Sequence, residues 1–187
     1  MAGVILDFSF LAGSWPLLAG AAANTVIYSA AALVIGLPAA VVLCLCCLSR
    51  QPVLRAFGRF YVSFFRGVPL LVLLLFAYYG VSGVGLSTTP EQAAIAALAV
   101  CEAAYLAECM RGGFLAVPKG FVEASLMSGL NRRQNFVYIV LPTAVRLTLP
   151  SIINEVTMAI KASSLISVVG IAELTRVSQN LASSTFQ

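Results

Sequence analysis

Three carboxylates, Glu102, Glu108 and Glu155, stand inside otherwise apolar stretches of this chain. An ionised group facing lipid is costly, so such residues pair inward or line an aqueous cavity. The chemistry open to them there is to hold a cation: an ammonium, a basic side chain, or an arginine from a neighbouring helix. Glu102 has no charged neighbour close in sequence, whereas Glu108 precedes Arg111 at the i,i+3 spacing of a helix-terminal ion pair. Asn154 and Glu155 follow Pro150, which frees a backbone carbonyl and favours a kink beside a cavity. Arg66 sits beside Gly67 and ahead of Pro69, placed either to snorkel to the interface or to pair with Glu108.

Other chemistries find little support. The chain has no histidine, and Cys44, Cys46, Cys47, Cys101 and Cys109 all lie in apolar runs, so no metal site is expected. There is no paired nucleophile and base, and no glycine-rich nucleotide loop ending in lysine. An enzyme is therefore not expected. Eleven Lys+Arg against seven Asp+Glu give a net charge of +4, but the basic residues border apolar runs instead of forming one face, which argues against nucleic acid. They sit where cytoplasmic membrane anchors are expected.

The elements that must carry these residues are membrane helices. Of 187 residues 60% are hydrophobic and 10% charged, with a mean hydropathy of +0.98; a soluble domain carries about 25% charge. No charged residue occurs between Asp7 and Arg50. That run exceeds one bilayer crossing, so a break is expected at Gly13-Ser14-Trp15-Pro16, with Trp15 as an interfacial anchor. The spans are placed at 24–48, 60–84, 92–110 and 143–160, as a single transmembrane domain over 1–187. Between the last two lies the most polar long stretch, 118–142, expected as two short amphipathic helices meeting at Leu130-Asn131. Pro142 is expected to stop the second of these at the membrane boundary. Residues 161–187 read as an external re-entrant or loop segment. Four alternating spans group Arg50, Arg55 and Arg59 with Arg111, Lys119, Arg132 and Arg133, which places the N-terminus outside and the 118–142 loop in the cytoplasm.

Glu123-Ala124-Ser125, then Gly129, then Ile139-x-Leu141-Pro142 resemble the EAA–G–I-x-LP signature of ABC importer permeases, with Ser125 in place of the usual second alanine. Ordered blocks extend the likeness to the polar amino acid branch of that family: FRGVPLLVLLLFAYYG, AAYLAECMRGG, VPKGFVEASLMSGLNRRQ, LPTAVRLTLPSIINEV and KASSLISVVGIAEL.

The resemblance implies an all-α integral membrane protein with the permease fold of a type I importer in the bacterial cytoplasmic (inner) membrane. It implies a five-span core, with a further apolar helix expected after Gln187. The 118–142 loop would couple to an ATP-binding cassette ATPase subunit through Glu123, Ala124, Ser125, Gly129, Ile139, Leu141 and Pro142. ATP and Mg would sit on that partner and no cofactor on this chain. Further implied partners are a second permease subunit, identical or related, an extracellular or periplasmic amino-acid-binding protein, and membrane lipid. The cargo would be a polar amino acid, basic ones included, met by Glu102, Asn154 or Glu155; subunit-interface pairing and a bond to a facing helix are the alternatives for those residues. Lys161, Ser163 and Ser164 could begin an outer gate or serve as ordinary caps. A different class of function stays open as well, a structural membrane subunit that docks the ATPase without transporting. A simple channel has no need of the coupling loop.

Overall fold

The computed structural model describes residues 9–83, 85 and 87–185. Readings that fall on Asp7, Val84, Leu86, Phe186 and Gln187, and the helix expected after Gln187, lie outside the described residues.

Helix α1 (Ser9–Leu48) runs without interruption through Pro16 and Pro38, so the break expected at Gly13–Pro16 does not occur. Its flanks are apolar all round, and in lipid a helix that loses one hydrogen bond at proline is still far better than an open backbone. The hydroxyls of Thr25 and Ser29 donate back to the carbonyls of Ala21 and Thr25, at 3.1 and 2.8 Å, which keeps them satisfied inside the helix.

Helix α2 (Pro52–Gly67) opens on a proline, whose missing N–H costs nothing at a helix start. It ends because Val68 precedes Pro69 and is driven to extended backbone, φ −89° and ψ 129°. Helix α3 (Leu70–Gly83), interrupted by a π-helical turn at Phe76–Gly80, then leaves at 99° to α2. The expected straight span 60–84 is thus two helices with a corner at Val68-Pro69.

Helix α4 (Pro90–Leu115) starts at a capping box: the Gln92 N–H donates to the Thr89 hydroxyl and the Thr89 N–H to the Gln92 side chain, at 3.3 and 3.2 Å. Alanines at 93, 94, 97, 99, 103, 104 and 107 are all buried, and their small side chains let α1 and α2 approach closely. α4 is the axis of the fold. One core cluster gathers its first half with Ala32, Leu74 and Ile166, and another its second half with Ala40, Leu43 and Val62.

Helix α5 (Lys119–Met127) is the first of the two loop helices expected. The second is not separate. It begins at Arg132 under an Asn131–Gln134 capping box and continues through a π turn at Phe136–Val140 into the membrane segment, as one rod α6 (Arg132–Val169) of 38 residues. Pro142 therefore does not stop it. The wider π turn just before Pro142 relieves the clash its ring would make with the preceding turn. The rod closes in a 3₁₀ segment, Ser163–Val169, and ends at Gly170 with φ +91°.

Within the segment expected as a re-entrant or loop stretch, residues 161–185 are helical for most of their length. Helix α7 (Leu174–Thr185) is capped by Glu173, whose carboxylate accepts from the Thr175 and Arg176 N–H groups at 2.9 and 2.7 Å. It docks on α1, where Asn24 donates to the Ala172 carbonyl and the Leu174 N–H donates to Thr25. Among the described residues three helices are long and apolar enough to cross a membrane (Gly13–Leu48, Pro90–Leu115 and Arg132–Val169), or four if the bent α2–α3 pair counts as one.

Candidate functional site

The corner between α2 and α3 opens a cavity of about 520 Å³ against α4 and α6. Three residues singled out from different parts of the sequence, Glu102, Asn154 and Glu155, line it together. α4 contributes Glu102 and Tyr105, α6 contributes Asn154, Glu155 and Ala162, and the corner contributes Arg66, Val68 and Pro69. The helix break is what exposes this polar lining, since a broken helix is tolerated at membrane depth where it borders a cavity.

Glu102 is 5% exposed, and its Oε2 atom has no hydrogen-bond partner among the described residues. A buried carboxylate oxygen without a donor is costly, and a cationic or N–H-bearing ligand would satisfy it. Glu155 accepts a long contact from the Cys109 thiol, 3.8 Å. The Arg66 guanidinium lies over the Tyr105 ring at 5.3 Å and reaches Glu108 at 3.8 Å. Two carboxylates, one guanidinium and one amide thus face a space large enough for a small zwitterion. Glu108 belongs elsewhere, held by Arg111 through two bonds of 2.9 and 2.5 Å, as the i,i+3 spacing suggests.

Sequence reasoning placed Arg66 near Glu108 but not in the cavity, and it missed Tyr105. The signal was present in Arg66-Gly67-Val68-Pro69: an X-Pro step inside an apolar run marks a broken helix, and a broken membrane helix marks a cavity.

The other expected site, the 118–142 loop, forms a compact unit. Gly129 turns the chain with φ +86°. Asn135, buried, donates to the Ser125 hydroxyl and to the Val122 carbonyl, which ties the start of α6 onto α5. Ala124, Ser125, Ile139 and Pro142 share a cavity of about 490 Å³ with Phe121 and Arg146. Glu123 is exposed, and Leu141 turns away into an apolar groove between α1, α4 and α6. Phe121, Leu126 and Met127 present apolar surface outward, Met127 at 90% exposure. Asn135→Ala should free α5: amide hydrogen exchange over Lys119–Met127 is expected to rise about tenfold, from loss of hydrogen bonds worth ~1 kcal/mol each, while α4 stays protected. Unchanged exchange in α5 would show that Asn135 does not hold it.

The hydroxyls of Ser163 and Ser164 donate to the carbonyls of Ile160 and Lys161, at 2.7 and 2.9 Å, as local bonds of the 3₁₀ segment. Lys161 is exposed and does not line the cavity.

Residues 32–185 match the family model described as binding-protein-dependent transport system inner membrane component. The octopine transport system permease protein OccM of Rhizobium radiobacter is 40% identical over 144 residues, covering 70% of this chain and 57% of its own. The chain thus spans little more than half the length of that relative. A probable amino-acid ABC transporter permease protein, PatM of Vibrio harveyi, is 34% identical, covering 97% of this chain and 82% of its own. A crystal structure of an amino acid ABC transporter with histidines superposes at a TM-score of 0.91 with 31% identity, over 97% of this chain and 85% of that one. The fold is all-helical and is shared along nearly the whole chain with that solved transporter.

Proposed function

Because the chain belongs to the family of binding-protein-dependent transport system inner membrane components, we propose that it is the multi-pass permease of an ATP-driven importer of polar amino acids. Its fold is that of a type I importer permease. The observation that carries the substrate class is the cavity in which Glu102, Asn154, Glu155 and Arg66 converge. Its carboxylates suit an α-ammonium or a basic side chain, and Arg66 suits an α-carboxylate. The names of the relatives, octopine and amino-acid permeases, point to the same class.

The 118–142 loop docks an ATPase subunit, which binds ATP and Mg; this chain binds no cofactor. A second permease, identical or related, completes the pore, and an external binding protein delivers the cargo. The basic connector around Arg50, Arg55 and Arg59 lies in the cytoplasm, and the N-terminus lies outside.

The test is uptake by the complete complex in proteoliposomes with its receptor, comparing wild type with Glu102→Gln. The expected result is loss of basic amino acid uptake, by about tenfold or more, with ATPase assembly preserved, since a charge-assisted contact is worth ~1.5–3 kcal/mol. Unchanged uptake of basic, neutral and acidic amino acids would remove Glu102 from the site. A wild-type complex that hydrolyses ATP and binds its receptor yet moves no amino acid would end the transport reading and favour a structural docking subunit.

A further inference from the structure

A second polar cavity, of about 300 Å³, lies beside the first and shares Arg66 with it. Its composition is inverted. Arg59, Arg66 and Arg111 face a single carboxylate, Glu108, with Ser63 completing the polar wall. Arg59, Ser63 and Arg66 come onto one side of α2 by their helical spacing. Both Glu108 oxygens are already held by Arg111, at 2.9 and 2.5 Å, and Arg66 meets it only at 3.8 Å. Among the described residues Arg59 has no ion-pair partner. Three guanidinium groups against one carboxylate leave the cavity cationic.

Phe57, Phe60 and Phe64 are exposed, and helical spacing sets them about 100–160° around α2 from Arg59. A guanidinium on hydrocarbon is costly and a phenylalanine is not, so the aromatic side belongs to lipid and the arginine side to the aqueous path. A place on the aqueous path, next to the first cavity, favours a dissolved anion over a lipid headgroup.

We propose that this basic cavity is an oxyanion site that takes the α-carboxylate of the amino acid as it leaves the acidic cavity, with Arg66 serving both. It rests on the amino-acid permease reading above. The acidic cavity holds the ammonium end while Arg66 holds the carboxylate. Arg59 and Arg111 then draw the carboxylate onward toward the end of α1 marked by Cys47.

Ser63→Cys, in a background whose native cysteines are replaced by alanine, places a thiol in the cavity wall. Its labelling by a thiol reagent is followed in inside-out proteoliposomes of the complete complex. The probes are sulfate, arginine, and agmatine, which is arginine without its carboxylate. Sulfate and arginine should slow labelling and agmatine should not. Arg59→Gln should raise the half-protecting concentration about tenfold, as expected for one lost charge-assisted hydrogen bond, and Arg59→Lys should recover part of it. Equal protection by agmatine would overturn the proposal, as would no protection by sulfate and arginine. Protection that follows the phosphatidylglycerol content of the vesicles and ignores amino acid would assign the cavity to a lipid headgroup and overturn it too.

If the cysteine-free background does not assemble, Arg59→Gln and Arg59→Lys in the native chain supply the second measurement. A lower maximal uptake rate in Arg59→Gln, with the half-saturating receptor concentration unchanged and the rate restored in Arg59→Lys, supports the site. Equal rates overturn it. The two readings fail separately: sulfate protection without amino acid uptake sinks the transport reading and leaves the anion site, while uptake without protection does the reverse.

Discussion

Gly129→Val should abolish receptor-driven uptake while leaving membrane insertion intact. Gly129 holds φ +86°, and a Cβ built on it meets nothing within 4 Å. Side-chain size is therefore not what this position excludes; the cost is in the backbone. An ordinary L-residue loses about 1–2 kcal/mol in the left-handed region, a β-branched one more, and asparagine least. That cost is escaped by opening the turn, which moves α5 off the start of α6 and breaks the Asn135 contacts. Uptake should fall in the order Gly129→Asn, Gly129→Ala, Gly129→Val, the last uncoupling ATP turnover from transport. Equal loss in the asparagine and valine variants, or normal uptake with valine, would show that the turn is not what couples.

Gly113→Ala should destabilise the bundle itself. α4 and α6 approach so closely here that a Cβ on Gly113 would overlap the Thr148 hydroxyl and come within 3.0 Å of the Ala144 carbonyl. Thr148, 4% exposed, donates to that same carbonyl at 2.7 Å, so it cannot step aside without giving up a bond. Overpacking of this kind costs about 1–3 kcal/mol. The detergent-solubilised protein should unfold at a lower temperature, and Gly113→Leu should prevent assembly. Adding Thr148→Ala to Gly113→Ala should recover most of the loss but not all, because the Ala144 carbonyl remains. A double variant no more stable than Gly113→Ala would locate the clash elsewhere.

Both glycines carry signals of different visibility. Gly129 sits between a polar helix and an asparagine cap, so its turn was legible from the residues alone. Gly113 was not, because nothing near it in sequence names Thr148 as its neighbour. The same distinction holds for the cavity. Glu102, Asn154 and Glu155 betrayed themselves as polar groups in apolar text. Tyr105 did not, since an aromatic at that depth reads equally well as packing.

Proline misled twice in one direction. Pro16 and Pro142 suggested ends that α1 and α6 do not have, because a low-dielectric setting and a π turn keep those helices whole. At Pro69 the error ran the other way. There the restricted residue is Val68, and Gly67 before it offers no side-chain packing to hold the helix together. The helix α7 was hidden for a further reason. Its helical start depends on Glu173, which acts as a cap only once Gly170 has reversed the chain and α1 supplies Asn24 and Thr25.

The continuity of α6 across Pro142 has a mechanical consequence. One stiff rod has Asn135, clamped to α5, near one end and Asn154 and Glu155 well along it. The separation of Asn135 and Glu155 is about 30 Å at the helical rise. A tilt of about 5° imposed at the clamped end would sweep Glu155 through about 2.6 Å, enough to make or sever a hydrogen bond. Force applied to the small helix α5 is thereby geared into a displacement at the cavity wall, with the π turn and the missing hydrogen bond at Pro150 as the joints that absorb part of it.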